Sequence, residues 1–315
     1  MIRQRPVELL APARNVECAM AAVDHGADAV YIGASRFGAR ASAGNSVEDI
    51  ARLVEYAHTF RVKVYVTVNT ILKDEELPET ERLVWALYRV GVDALIVQDM
   101  ALLELDLPPI PLHASTQMDN RTPEKVKFLH GLGFSQVVLA RELSLAEIQA
   151  VHEACDVPLE VFVHGALCVS YSGQCYVSQH CFGRSANRGE CAQFCRLKFD
   201  MVDSDGRMIE QGRHLLSLKD MNRGEDLERL LDAGVTSLKI EGRLKDVAYV
   251  KNVTAWYRSR LDEIFKRRPE YRRASSGQVS LAFTPCLEKS FNRGFTRYFL
   301  DGRTPVSYTH LTLPT

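Results

Sequence analysis

No apolar run in this 315-residue chain is long enough to cross a bilayer. The opening residues MIRQRPVELLAPA hold no apolar signal-peptide segment and pass straight into a strand-like pattern. Together these absences point to a cytoplasmic protein that makes no membrane contact. An excess of one charge is missing too. The formal net charge is -1, which argues against a broadly basic nucleic-acid coat and leaves room for a local basic patch. Known hydrolase templates are absent: there is no G-x-S-x-G elbow, and the string nearest to H-E-x-x-H starts at His152-Glu153 but ends in Asp156. Short repeats of solenoid type are absent as well. What remains is an ordinary globular composition, 46% hydrophobic and 25% charged, with room for one large domain or two smaller ones.

Cysteine departs from this pattern. Of eight cysteines, five fall between Cys168 and Cys195, spaced C-x6-C-x5-C-x9-C-x3-C. This is neither the C-x2-C pair of zinc ribbons nor the ferredoxin run. In a cytoplasmic protein, clustered thiols indicate metal or redox chemistry more than disulfides. Irregular spacing within one loop suits a 4Fe–4S cluster held by Cys168, Cys175, Cys191 and Cys195, with Cys181 spare or supportive. A structural zinc site is the alternative. Cys18, Cys155 and Cys286 lie in helix-like or distant contexts and read as buried hydrophobes. The same loop carries Arg184, Arg188, Arg196 and Lys198 with Tyr171, Tyr176 and Phe194. Arginines mixed with aromatics can clamp phosphate and stack a base, or they can neutralise an anionic thiolate cluster.

Short apolar runs alternate with amphipathic stretches from residue 7 to about 265. Nine strand candidates stand at 7–13, 29–34, 63–69, 94–99, 111–116, 136–141, 159–165, 215–220 and 237–242. They are rich in Val, Ile, Leu and Tyr, as buried parallel strands are. Ser46 and Thr122 cap two of the intervening helices. The phrases HGADAVYIGA, VGVDALIVQD, LGFSQVVLA and AGVTSLKIEG each place a Gly between a helix and the next strand. Repeating units of this kind predict an α/β fold, a (β/α)8 TIM-like barrel, with a doubly wound open sheet as runner-up. Nine candidates exceed a barrel by one, so one is peripheral. The barrel spans 1–265 and includes a cysteine-rich insertion at 166–196, followed by a hairpin turning at Asp205-Gly206. Residues 266–304 read as the start of a truncated C-terminal β-rich domain, and 305–315 as a non-native tail.

Barrel enzymes place their chemistry at the C-terminal ends of the strands. Here those ends carry Asn69, Gln98, Asp99, Ser115, Thr116, Arg141, Glu142, His164, Lys219, Asp220, Glu241 and Arg243, with Glu8 early in the first strand. His164, Lys219, Asp220, Glu241 and Arg243 are the catalytic candidates. Arg141 and Asn69 join Arg184, Arg188 and Arg196 as substrate-binding candidates. Strand ends also carry short polar residues merely to cap the next helix, and a lone His is often structural.

Glu160, Phe162, Gly165, Ala166, Leu167, Cys168, Gly173, Cys175, Val177 and Ser178 fill every place of a signature of the form E-x-F-x-x-G-(S/A)-(L/M)-C-x4-G-x-C-x-(aliphatic)-S. With the blocks ELLAPA, YIGA, NRGECAQ-x-CR, LSLKD, KIEGR and FNRGF, the chain resembles the collagenase-like peptidase family from about Glu8 to Arg303. The family name implies peptide hydrolysis, for which Cys168 and His164 would form a nucleophile–base dyad. Other branches imply iron–sulfur proteins of oxygen-independent hydroxylation, acting on a 23S rRNA cytidine, a tRNA wobble uridine or the ubiquinone ring. The four cysteines Cys168, Cys175, Cys191 and Cys195 match the pattern of the RNA branches. Those branches further imply an rRNA or tRNA substrate, a prephenate-derived co-substrate and an electron donor.

Overall fold

The computed structural model describes residues 4–38, 44–242 and 244–303. Eight of the nine apolar runs form the parallel strands β1 (Arg5–Ala13), β2 (Ala29–Ala34), β3 (Lys63–Val68), β4 (Ala94–Val97), β5 (Leu112–Ala114), β6 (Gln136–Val138), β7 (Leu159–Gly165) and β8 (Ser237–Ile240). Each pairs with the next in chain order, and β8 pairs with both β7 and β1, which closes the sheet into a barrel. Closure removes the free edges that would expose unpaired amide groups. Several strands stop short of the apolar run that announces them. Asp99 and Ser115 end β4 and β5 because their side chains turn back to cap the next turn, accepting from the Ala101 and Gln117 amides.

The ninth run lies outside the barrel. Its strand, Asp220–Asn222, runs antiparallel to the end of β7, with Met221 opposite Gly165 and Asn222 opposite His164.

Helices α1 (Val16–Asp24), α2 (Val47–Thr59), α3 (Leu77–Arg89), α4 (Pro123–Gly131) and α5 (Leu145–Ala154) cover the first staves. A short α6 (Val177–Phe182) sits inside the cysteine-rich insertion, and α7 (Leu227–Asp232) and α8 (Val247–Arg267) flank β8. Capping follows the sequence: Ser46 with Asp49 forms a reciprocal box at α2, and Thr122 accepts from the Lys125 amide at α4. The Gly of each echoing phrase (Gly26, Gly91, Gly133 and Gly234) has a left-handed φ between 86° and 99°. That conformation turns each helix into its strand and suits a residue without Cβ. The insertion continues into an antiparallel hairpin of Phe199–Val202 and Met208–Arg213, turning at Gly206.

Val, Leu and Ile from the outward strand faces and the inward helix faces form the main core. A smaller apolar group of Leu10, Ala29, Tyr31, Tyr65, Ala94 and Ile96 fills part of the barrel interior. Beyond Arg267 the chain returns to the barrel. Tyr271–Arg273 pairs in parallel with the start of β1, and Phe295–Thr296 pairs with Asp220–Met221. Leu287 and Leu300 are buried in the main core. No helix among the described residues is long and apolar enough to cross a membrane.

Asp28, at the N-terminal end of β2, ties the C-terminal return to the barrel floor. Its buried carboxylate accepts from the Leu9 amide, Arg258, Arg273 and both the amide and hydroxyl of Ser275. Removing it would leave buried Arg258 with only its ion pair to half-exposed Asp262. Asp28→Ala is expected to lose about 3–5 kcal/mol of stability in urea titration.

Candidate active site

At the C-terminal end of the barrel lies a small cavity open to solvent. Tyr31, Ile96 and Phe162 give it apolar wall, and Asn69, Ser115, Arg141, Lys239 and Glu241 give it polar groups. Period-two alternation places these side chains inward. Arg141 Nη2 donates to Glu241 Oε2 at 2.7 Å, and its guanidinium lies 3.7 Å from the Phe162 ring centroid. Asn69 Nδ2 donates to Ser115 Oγ at 3.2 Å. Buried Arg223 holds the turn after β6 in place by donating to the Arg141 carbonyl at 3.1 Å.

The barrel interior below the cavity is polar. Lys239 Nζ donates to Glu160 Oε1 at 2.6 Å, Gln136 donates to Glu160 Oε2 at 2.6 Å, and the ammonium sits 4.4 Å from the Tyr31 ring centroid. Glu8 accepts from Tyr65 at 2.6 Å and from Ser237 at 2.8 Å. Burial first, and then the charge of Glu160, push the Glu8 carboxyl up to about 7. His113 packs edge-on against Tyr65, and burial pushes its pKa down to about 3. Lys239, Glu160, Gln136 and His113 are not among the candidates drawn from sequence. The signal was present, because a Glu and a Lys within otherwise apolar parallel strands violate their local pattern.

The sequence candidates separate. Arg141, Asn69 and Glu241 line the cavity. His164 does not. A register shift where β7 meets β8, between Lys239 and Ile240, turns its ring toward α8, among Tyr249, Tyr257 and Phe295. Its Nδ1 lies 3.4 Å from the Tyr257 hydroxyl, and burial followed by the Lys245 charge pushes its pKa down to about 3. No hydrogen bond joins His164 to Cys168 among the described residues. Asp220 is buried and accepts from Arg293 at 3.0 Å, while Lys219 packs near Gly294. Arg243 lies outside the described residues.

The cysteine-rich loop is laid across this mouth by several tethers. Glu142, buried after β6, accepts from the amide and hydroxyl of Ser172 at 2.9 and 3.0 Å. Gly173, at φ 77°, presses on the Gln117 backbone, where a Cβ would sit 2.0 Å from the carbonyl oxygen. Arg188 forms a fork with Glu76 at 2.7 and 2.9 Å and holds the Glu76 carboxyl down at about 2. The Asn187 carbonyl accepts from the Ile71 amide at 3.1 Å. Arg196 donates to the Leu167 and Leu218 carbonyls and to Ser217. Arg188 and Arg196 are therefore engaged in holding the loop, whereas Arg184 is exposed.

All eight cysteines are free thiols, Cys168, Cys181 and Cys191 exposed and Cys175 and Cys195 half-buried. Desolvation by packed neighbours pushes the Cys168 and Cys195 thiols up. The other thiols add to this, Cys195 and Cys175 acting on Cys168, and Cys191 and Cys175 on Cys195. Arg141 and Arg196 oppose the rise. The four thiols thus share one electrostatic neighbourhood. Among the described residues, no three His, Cys, Asp or Glu converge tightly enough to enclose a single ion.

Fold and site define a closed parallel barrel whose polar mouth is crossed by a thiol-bearing loop. Residues 14–309 match the model of peptidase family U32, and the chain belongs to that family. It is 57% identical over 297 residues to the 23S rRNA 5-hydroxycytidine C2501 synthase of Escherichia coli K12, covering 94% of this chain and 46% of that protein. It is 39% identical over 312 residues to tRNA hydroxylation protein P1 of Bacillus subtilis 168, covering 96% of this chain and 72% of that protein. A collagenase of Porphyromonas gingivalis W83 is 31% identical over 319 residues, with 96% and 75% covered. The chain thus spans less than half the length of the first of these relatives.

Glu8 gives this site a pH signature. Its folded-state pKa, about 7, lies above the usual carboxyl value of 4.5, so the folded state binds the extra proton between those values. Stability from Glu8 is complete below about pH 4.5 and is lost as pH rises toward 7, by roughly 3 kcal/mol in total. Buried neutral His113 and His164 act oppositely, losing stability as pH falls below 6.5. Comparing wild type with Glu8→Gln in urea titrations across pH 4–8 isolates the carboxyl. The difference between the two proteins should shift by roughly that amount over the interval, in favour of Glu8→Gln at the high end.

Proposed function

We propose that this chain acts in oxygen-independent hydroxylation of an RNA base, with Cys168, Cys175, Cys191 and Cys195 as ligands of a 4Fe–4S cluster over the barrel mouth. The single observation that carries the RNA assignment is the 57% identity to an rRNA 5-hydroxycytidine synthase across 94% of the chain. The tRNA hydroxylation relative supports hydroxylation chemistry on RNA.

The donor set fits such a cluster. Four thiols from one loop influence one another's ionisation, and Arg141 and Arg196 lie close enough to offset an anionic tetrathiolate. A structural zinc ion on the same thiols is the alternative. When bound, the cluster supplies one-electron transfer, which suits a centre whose ligands are all protein thiolates.

The chain's own residues then have separable tasks. The cavity admits one unstacked base, with Phe162 and Tyr31 as apolar wall and Asn69, Ser115, Arg141 and Lys239 as polar edge. Glu241 fixes the Arg141 guanidinium, and Glu160 fixes the Lys239 ammonium. Replacing a base C–H by C–OH adds one oxygen atom and removes two electrons from the base. A prephenate-derived co-substrate that gives up a hydroxyl group and takes up those two electrons is therefore part of the proposal, an electron donor serves only to poise the cluster, and the cytoplasm is its setting. Ubiquinone-ring hydroxylation is the same chemistry on another ring. Peptide hydrolysis needs a base beside the Cys168 thiol, and His164 is instead engaged with Tyr257.

Anaerobic purification with iron and sulfide analysis tests the ligand set. Cys168→Ser, Cys175→Ser, Cys191→Ser and Cys195→Ser should each lose iron and sulfide, while Cys181→Ser keeps both. A metal-free, colourless wild type that cleaves gelatin would overturn the reading. Mass spectrometry of rRNA and tRNA nucleosides from a strain lacking the gene should show one hydroxylated pyrimidine missing. Plasmid-borne wild type should restore it and Cys168→Ser should not.

A further inference from the structure

Phe291 is 61% exposed, more than any other large apolar side chain among the described residues. Single surface aromatics are common and need no explanation. This one is backed by two cations. Lys245 Nζ lies 3.9 Å from its ring centroid and the Arg293 guanidinium 5.0 Å from it. Arg293 is itself fixed by buried Asp220. A second exposed ring, Tyr171 at 46%, carries the Arg121 guanidinium 4.0 Å from its centroid, and Arg121 is fixed by Asp119 at 2.8 Å.

Both pairs stand on the C-terminal face of the barrel. Lys245 lies in the turn that leaves β8, and Arg121 in the turn that leaves β5. The thiol loop starts from β7, between them. Three staves separate β5 from β8, roughly 14 Å along the wall at about 4.8 Å per strand. The repeated unit is an open aromatic face with a fixed cation behind it. A protein partner's interface core is depleted of charge, which these rings are not. An unpaired RNA strand presents flat bases and phosphates in alternation, which match a ring and a cation in turn.

We propose that Phe291 and Tyr171 are stacking platforms that hold two unpaired nucleotides of one RNA strand, Tyr171 on the thiol loop itself and Phe291 beyond the loop on its β8 side, with Lys245, Arg293 and Arg121 facing its phosphates. This rests on the RNA reading above and adds to it the track of the strand. Neither ring lines the cavity, so the platforms act on flanking nucleotides and leave the target base to the cavity.

Fluorescence anisotropy of a labelled single-stranded oligoribonucleotide of mixed sequence, titrated with full-length protein, tests it. Phe291→Ala and Tyr171→Ala should each weaken binding by about fivefold to a hundredfold. Phe291→Trp and Tyr171→Phe should retain it, because every base stacks on any aromatic face. Lys245→Gln and Arg121→Gln should lower the salt dependence of binding, each by roughly 0.7 in the log–log slope, where the ring variants leave it unchanged. Unchanged thermal midpoints would show that these surface changes do not unfold the chain. If wild type binds the strand and both alanine variants bind equally well, the platforms are wrong and the RNA reading stands. Equal affinity of wild type for a fully paired RNA duplex would overturn them too. If wild type binds no RNA at low salt, the RNA reading itself falls and takes the platforms with it.

Discussion

The charge pair of Glu160 and Lys239 sits inside a closed ring of strands, both residues less than 5% exposed. Removing two charges from water costs several kcal/mol each, and attraction between them offsets this only with good geometry and satisfied neighbours. Both conditions are met here. The Nζ–Oε1 distance is 2.6 Å, Gln136 takes the second carboxylate oxygen, and the Tyr31 ring faces the ammonium. A barrel interior is ordinarily filled by layers of branched apolar side chains. Replacing part of that filling with Glu8, His113, Gln136, Glu160 and Lys239 gains little stability and needs another reason. The cavity directly above supplies one, because the pair presents a fixed cation at its floor that solvent cannot displace.

Much of this architecture was legible. Apolar runs gave the staves, caps at Ser46 and Thr122 gave helix starts, and the echoing glycines marked the turns between helix and strand. The surplus ninth run was expected to be peripheral, and its place could not be read. Asp220–Asn222 belongs to the sheet through Gly165, His164, Phe295 and Thr296, partners remote in sequence. The crowding of thiols was visible as a count. The tethers were not, because Glu142 and Glu76 gain their roles only when folding brings them to Ser172 and Arg188.

His164 shows why strand-end position is a weak guide to catalysis. Strict alternation from Glu160 and Phe162 would aim residue 164 at the cavity. One irregular step in the pairing of β7 with β8 reverses its side, and the ring ends against α8. No local pattern announces such a bulge, which falls where the end of β7 also pairs with the antiparallel Asp220–Asn222 strand. The inward polar groups of β7 and β8, Glu160 and Lys239, are instead mid-strand, where a sequence reading expects only packing.

The tethers also redistribute the loop's positive charge. Arg188 and Arg196 were candidates for phosphate, yet one is forked on Glu76 and the other spans three acceptors under the loop. Either would have to break several charge-assisted bonds, each stronger than a neutral one, to reach a ligand. Binding an anion with them would therefore undo the fixation of the thiols. The loop can hold its shape and the mouth can still attract a polyanion only if these tasks fall to different cations. Arg184 and Lys198 stay exposed on the loop and Lys245 stands at its margin against the Phe291 ring, while Arg293 and Arg121 each keep a carboxylate partner, Asp220 and Asp119, but none of the loop tethers. This division lets a chain with a net charge of -1 concentrate positive potential where the thiols lie without sacrificing the bonds that place them.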